Sequence, residues 1–99
     1  MIRGTTPTLT FNLPFETSLL KSAYITVKSQ NVEIEKTIDD CELTENSIAT
    51  TLSQEETLQL PKDYRVKVQL RVLTKDGKAL ATDVYIVELK TILKEGVIE

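Results

Sequence analysis

The chain has 99 residues and a formal net charge of −3 at pH 7, a length that predicts one domain over residues 1–99. An acidic chain of this size favours neither nucleic acid nor an anionic membrane surface as a partner. Histidine is absent and Cys41 is the single cysteine, which excludes Ser-His-Asp and Cys-His catalysis, most zinc sites and an intramolecular disulfide.

The N-terminal stretch MIRGTTPTLTF lacks the apolar core of a secretory signal. We interpret Met1 as the natural initiator methionine. No apolar run approaches the roughly 18 residues that are needed to cross a bilayer. We therefore expect a protein made in the cytoplasm, with no membrane contact.

The first predicted strand lies in TPTLTFNLP, residues 6–14. Its apolar side chains alternate with polar ones, which is typical of a half-buried strand, and a proline stands near each end, where a strand tolerates it. The connector after it predicts a helical turn that buries Leu19 and Leu20.

Residues 23–29 and 32–38 predict two more strands, with Glu33 and Glu35 facing outward. Gln30-Asn31 stands between them, and asparagine tolerates the positive φ of a tight hairpin. The side chains predicted to face inward are Ala23, Ile25, Val27, Val32, Ile34 and Ile38.

DDCEL, residues 39–43, predicts a short link or edge strand, and NSIATTL predicts a strand that buries Ile48 and Leu52. Ser53 followed by Glu56 has the pattern of a capping box. A short helical turn is therefore expected near 53–58.

The clearest strand is YRVKVQLRVLT, residues 64–74, in which Tyr64 and every second residue after it are expected in the core. Asp76-Gly77 then predicts a two-residue hairpin turn with two positive φ angles. A last strand runs from about residue 78 to 90, with a bulge expected near Thr82-Asp83.

These elements predict an all-β fold, a single immunoglobulin-like antiparallel β-sandwich of six or seven strands. The order of the elements supports the immunoglobulin-like topology, because a helical turn precedes a strand that begins with tyrosine, as at the corner before strand F. In that topology strands 32–38 and 64–74 are expected as antiparallel neighbours. Glu33 and Glu35 would then face Arg65, Lys67 or Arg71.

Little in the chain points to chemistry. Cys41 stands among acidic residues, whose charge raises a thiol pKa, so it is interpreted as an ordinary small residue. The carboxylates from Asp39 to Glu45 lack a calcium-loop pattern and are interpreted as solvated turn residues. We expect no enzyme, no catalytic residue, no metal and no cofactor.

The bases Arg65, Lys67 and Arg71 form a stripe without interleaved aromatics, which favours a solvated or ion-paired face over a nucleic-acid platform. Charge is also divided along the chain. Residues 31–63 carry nine acidic and two basic side chains, and residues 64–94 carry seven basic and three acidic ones. Either acidic and basic strands neutralise each other, or the acidic middle of one copy meets the basic strands of another.

VYIVEL, residues 84–89, is apolar on both faces. Its odd-numbered residues are expected in the core and its even-numbered apolar residues outside, beside Leu73; such a strand is covered on both sides or makes a contact. The tail 91–99 is either flexible or docked. It could close the outer face, or belong to a surface for self-assembly or docking. The protein-contact candidates are Leu73, Val84, Ile86, Ile92, Leu93, Val97 and Ile98.

Three segments carry a family resemblance: MIRGTTPTLTFNLPF, LSQEETLQL and VQLRVLTKDGKALATDV. Together they resemble short tail or baseplate proteins of prophages in Gram-positive bacteria, and the N-terminal immunoglobulin-like domain of phage baseplate upper proteins. The resemblance implies a virion-associated structural protein, made in the bacterial cytoplasm, whose partners are other tail or baseplate proteins or further copies of itself.

The resemblance transfers no functional residue. Because the sequence stops at Glu99, we expect the receptor-binding or fibre-forming portion of the larger baseplate proteins to be missing, which favours an adaptor or assembly role. Two alternatives stay open. One is a small carbohydrate-binding sandwich, for which Tyr24 is the clear outward aromatic. The other is a regulator that binds a host protein.

Overall fold

The computed structural model describes residues 1–62 and 64–99. Two antiparallel sheets face each other. The smaller sheet has the order β1-β5-β4, formed by β1 (Thr8–Asn12), β4 (Glu42–Leu43) and β5 (Ser47–Thr51). The larger sheet is formed by β2 (Leu20–Ser29), β3 (Val32–Thr37), β6 (Arg65–Thr74), β7 (Ala79–Ala81) and β8 (Tyr85–Glu88).

The larger sheet has the order β3-β2-β6, and both β7 and β8 pair with the edge of β6 that β2 leaves free. This order is that of an immunoglobulin-like sandwich, with β1, β5 and β4 as strands B, E and D, and β3, β2, β6 and β7–β8 as strands C′, C, F and G. Among the described residues, no regular strand precedes β1 in the place of strand A. The predicted all-β sandwich is confirmed.

The core is aliphatic and follows the alternation of the strands. Ala23, Ile25 and Val27 point inward from β2, as predicted, and the even-numbered residues of β6 from Val66 to Val72 point inward from its neighbour. Each large side chain removed from water in this way contributes about 1.5–3 kcal/mol. The buried core consists of Leu20, Ala23, Ile25, Val27, Ile34, Ile48, Leu52, Leu60, Val66, Val68, Leu70, Val72 and Leu89.

A one-turn helix, α1 (Gln54–Leu58), links β5 to β6. The predicted capping box is present: the Ser53 hydroxyl accepts the Glu56 N–H at 3.1 Å, and the Glu56 carboxylate accepts the Ser53 N–H at 2.9 Å. Tyr64, which was predicted to be a core residue, is half exposed at the start of β6.

The predicted pairing of strands 32–38 and 64–74 is wrong, because β2 lies between β3 and β6. Thr26 of β2 is the direct neighbour of Glu35 on one side and of Gln69 on the other. Two strand spacings, about 9.6 Å, therefore separate Glu33 and Glu35 from the basic side chains of β6.

Both hairpins form, with different turns from those expected. Between β2 and β3 the positive φ, 55°, belongs to Gln30 and not to Asn31. After β6 the loop has three residues, because Thr74 pairs with Lys78 and the Gly77 N–H donates to the Thr74 carbonyl at 3.0 Å. Only Gly77 has positive φ there, as in a type I turn with a glycine bulge.

The connector before β2 was only partly anticipated. A 3₁₀ turn covers Thr17–Leu19, and Leu20, already the first residue of β2, is buried as predicted. Leu19 is half exposed, contrary to the prediction, because the turn ends before the chain enters the sheet.

Candidate interaction surface

The last strand is broken at the position where a bulge was expected. Residues 82–84 separate β7 from β8, and Thr82 joins the two pieces to β6. Its N–H donates to the Leu70 carbonyl at 2.9 Å, its hydroxyl accepts the Leu70 N–H at 3.1 Å, and its carbonyl accepts the Gln69 side-chain amide at 2.9 Å. Thr82 thus satisfies backbone groups of β6 that a continuous strand would have paired.

From the end of this break onward, Val84 and β8 expose apolar side chains on both faces. Val84 and Ile86 point outward, with 49% and 59% of their surface exposed, and Ile86 lies directly opposite Lys67. Val84 borders a shallow depression of about 140 Å³ with Thr26 and Gln69. These two predicted contact residues therefore share one part of the outer face of the larger sheet.

Leu73 lies on the same face but is not part of that patch. It pairs with Ala79, whereas Ile86 pairs with Lys67. Six residues along β6 correspond to about 20 Å. The structure therefore separates Leu73 from Val84 and Ile86.

The inner side of β8 borders a cleft that the sequence did not predict. Tyr85 and Val87 face β1 across a cavity of about 580 Å³, in which Leu9 and Phe11 form the opposite wall. The rings of Phe11 and Tyr85 lie 6.1 Å apart at a tilted angle. Tyr85, predicted to be a core residue, is 52% exposed, because the smaller sheet ends at β1.

The N-terminus binds the end of this strand. The Met1 carbonyl accepts the Lys90 N–H at 2.8 Å, the Arg3 N–H donates to the Lys90 carbonyl at 2.9 Å, and the Met1 amine donates to the Glu88 carbonyl at 3.1 Å. Ile2 and Lys90 form a parallel bridge. We call Met1–Arg3 the N-terminal strap.

The tail folds against α1 and the strap, and not over the outer face of the larger sheet. The side chains of Ile92 and Leu58 both lie close to Gly4, and the Glu95 carboxylate binds Arg3 at 2.6 Å and Lys62 at 3.0 Å. The side-chain amide of Gln54 binds the N–H and the carbonyl of Ile98.

The tail candidates Ile92, Val97 and Ile98 are therefore on a different part of the molecule from Val84 and Ile86. Ile92 is half-buried against the strap, and Val97 and Ile98 are exposed beside α1. Leu93 is fully exposed. The seven predicted contact residues do not form one surface.

The outer face of the larger sheet carries an ordered pattern of charge. Glu33 and Glu35 lie on β3, Lys28 lies on β2, and Lys67 and Arg71 lie on β6. Lys28 is directly opposite Glu33 on one side and Lys67 on the other. None of the ion pairs within residues 1–62 and 64–99 involves these five side chains.

Cys41 directly precedes β4 in the chain and is partly buried. Its thiol donates to the Thr37 carbonyl at 3.2 Å. Burial, together with the nearby Asp40 charge, raises the pKa of this thiol despite a bond from Thr50. The direction of the shift agrees with the prediction, and burial adds a cause that the sequence did not show.

The acidic stretch after β3 has structural partners. The Asp40 carboxylate accepts the Thr37 N–H at 2.9 Å and caps a 3₁₀ turn, Ile38–Asp40. The bonds from the Thr37 backbone N–H and from the Thr37 hydroxyl lower the pKa of Asp40. Within the described residues, no three acidic or cysteine side chains come together as a metal-binding group.

No protein-family model, curated protein or solved structure matches the chain. Among residues 1–62 and 64–99, no helix has the length and apolar character needed to cross a bilayer.

Proposed function

We propose that the chain is a non-enzymatic structural module that docks onto another protein through β8. The observation that carries this proposal is the exposure of β8 on both faces, together with Val84 just before it: Val84, Tyr85 and Ile86 are each about half in water. Apolar side chains that stay exposed together at a sheet edge are typical of a contact surface. The cleft beside Tyr85 extends this surface to the inner side.

The setting that we propose is the tail or baseplate of a phage, where the chain would act as an adaptor or assembly protein. The resemblance of three segments to prophage tail and baseplate proteins supports this setting. A small sandwich with an exposed edge strand suits such a role, because it offers a rigid surface without a reactive group.

Two observations support the non-enzymatic part of this proposal. The chain contains no histidine, and the thiol of Cys41 is engaged with a carbonyl and has a raised pKa, which opposes formation of the thiolate. The carbohydrate alternative gains no support. Tyr24 lies on the outer face of β2, Tyr85 in the cleft and Tyr64 beside Leu89, so these tyrosines form no row.

The test is affinity purification from a phage-induced bacterial culture with the chain as bait. We expect tail or baseplate proteins to co-purify with the wild type. The double substitution Val84→Ser and Ile86→Ser should reduce that recovery at least about tenfold, because an interface depends on a few apolar anchors.

Leu43→Ser is the matched control, since Leu43 is a similarly exposed apolar residue on the edge strand of the other sheet. It should leave recovery unchanged. Capture of a host protein instead of tail proteins, or equal recovery with the double variant, would contradict the proposal.

A further inference from the structure

The charges on the outer face of the larger sheet are arranged in two columns. One column, on β3, is acidic and consists of Glu33 and Glu35; the other, on β6, is basic and includes Lys67 and Arg71. β2 separates them, so they lie about 9.6 Å apart. The two columns are therefore not cross-strand neighbours, and no ion pair joins them among the described residues.

One contact on this face is unfavourable within a single copy, although Glu33 lies on the other side of Lys28. Lys28 and Lys67 are direct cross-strand neighbours, and like charges in that position are destabilising. Arg71 stands four residues further along on the same side of β6, opposite Tyr24. A partner that brings acidic side chains over β6 would relieve this repulsion.

We propose that the partner is a second copy of this chain, bound face to face through β3, β2 and β6, so that β3 of each copy lies over β6 of the other. The chain itself carries an acidic column as well as a basic one. Because the spacing between the two columns is the same in both copies, each acidic column can lie over the basic column of the other copy. A two-fold axis that runs parallel to the strands over β2 produces this overlap for both copies at once.

Other two-fold placements on this face bring like charges together. An axis across the strands places β3 over β3 and β6 over β6. An axis between β2 and β6 places Lys28 of one copy over Lys67 of the other. The axis over β2 also places Lys28 of one copy opposite Lys28 of the other, but Glu33 of both copies flanks these lysines. Among these placements it is the one that sets each acidic column over a basic column, and the charge pattern therefore favours it.

The register within the sheet determines which side chains meet. Glu33 is in the same row as Lys67, and Glu35 is in the row of Gln69, between Lys67 and Arg71. Tyr24, 44% exposed on β2, lies at the axis and would pack against Tyr24 of the second copy. Lys28 also lies at the axis, where Glu33 of both copies flanks it.

The predicted interface is small. The rise per residue and the strand spacing give a face of roughly 33 Å by 14 Å, or about 460 Å² per copy, which is at the low end for specific complexes. We therefore expect weak association that depends on salt. The overlap is formed by β3, β2 and β6, and the proposed docking strand is β8, so this inference goes beyond the proposed docking function. Val84 borders the overlap beside Thr26 and Gln69, and the variants described below leave Val84 and Ile86 unchanged.

The experiment is sedimentation velocity on the full chain from about 10 to 500 µM, in about 0.05 M and 0.5 M salt. We expect the wild type to shift toward a dimer with rising concentration at low salt, and at least about tenfold weaker association at high salt. The variants are E33K/E35K and K67E/R71E. Each should lose self-association, because both columns then have the same sign.

An equimolar mixture of the two variants should recover dimers, since each supplies the column that the other lacks. This recovery also shows that both variants are folded. The control K75E/K94E changes the net charge as K67E/R71E does, but at exposed lysines outside β2, β3 and β6, and should associate like the wild type. A wild type that stays monomeric at the highest concentration, or a mixture that stays monomeric, would overturn the inference.

Discussion

Thr82 shows how one residue supports an interrupted strand. The break between β7 and β8 removes backbone partners from β6, and the Thr82 hydroxyl replaces one of them by accepting the Leu70 N–H. Leu70 is almost fully buried, so water cannot take over this bond. A buried N–H without a partner costs about 1–3 kcal/mol.

Thr82→Val should therefore lower the free energy of unfolding by about 1–3 kcal/mol. Urea unfolding followed by circular dichroism measures the effect. Thr51→Val provides the comparison, because the exposed Thr51 hydroxyl bonds only to that of Thr8 and should change stability by less than about 0.5 kcal/mol. Equal losses in the two variants would show that the bond to Leu70 has no special weight.

Glu56 links α1 to the larger sheet. Its carboxylate accepts the Ser53 N–H and binds Lys36 of β3 at 2.7 Å. Burial alone would raise the pKa of Glu56, but the bonds from Lys36 and Ser53 outweigh it and lower the pKa. The folded protein therefore favours the ionised carboxylate more than the unfolded chain does.

This contribution to stability is present above the ordinary glutamate pKa of about 4.3 and is lost as the pH falls through the lower pKa of the folded state. Glu56→Gln should be less stable than the wild type at pH 7, and the difference should shrink between about pH 5 and pH 3. Unfolding measured across that range tests it. Glu55→Gln, on the exposed side of α1, removes the same charge without breaking the bonds to Lys36 and Ser53 and is the comparison. A constant gap for Glu56→Gln would contradict the assignment.

At the scale of elements, the strap and the tail meet at Gly4. Gly4 has φ of +77°, and a Cβ at this position would lie 2.8 Å from the terminal methyl of Ile92 and 3.3 Å from Leu58. Any side chain there must adopt a rare backbone conformation and push aside the end of the Ile92 side chain. The backbone conformation and the close approach of Ile92 and Leu58 therefore both favour glycine.

Gly4→Ala should lower the free energy of unfolding by about 1–2 kcal/mol and expose residues 92–99 to faster hydrogen exchange. Gly96→Ala is the matched comparison, because Gly96 has φ of +90° but nothing within 4 Å of a Cβ. Its strain is relieved by release of the last residues, so global stability should change by less than about 0.5 kcal/mol. Similar global losses for both variants would argue against a packing role for Gly4.

The sequence predicted which residues of each strand face inward but not which strands are neighbours. Alternation placed Ile25 and Val68 correctly, because the pleat alone determines the face. The position of β2 between β3 and β6 depends on how the hairpin docks, and no side-chain period encodes that. The cleft was not predicted because it also depends on how strands assemble. Tyr85 is exposed because the opposite sheet ends at β1 and does not cover it, and the alternation of side chains along β8 does not encode that width.

For the whole molecule, the sandwich is held by residues up to Leu89, and the tail adds exposed contacts. Removal of residues 95–99 deletes the ion pairs of Glu95 and the bonds between Gln54 and Ile98. Exposed pairs of this kind contribute about 0–1 kcal/mol each. The buried core is left intact.

We therefore expect the chain truncated after residue 94 to unfold cooperatively, with a stability loss of at most about 1–2 kcal/mol. Truncation after residue 88 should abolish the cooperative transition, because it removes the buried Leu89 and the backbone partner of the strap, Lys90. Differential scanning calorimetry distinguishes the two. If the chain truncated after residue 94 also lost the cooperative transition, the tail would be part of the folding unit.

The parallel bridge between Ile2 and Lys90 has a practical consequence for fusion proteins. Because the strap runs in the same direction as β8, a tag joined before Met1 would be led back along the free edge of β8, over Tyr85 and Ile86. Such a tag would compete with a binding partner for that edge. A tag joined after Glu99 starts next to Ile98, which is bound to Gln54 of α1, and should leave the edge of β8 accessible. The two fusions should therefore differ in binding even when both are equally stable.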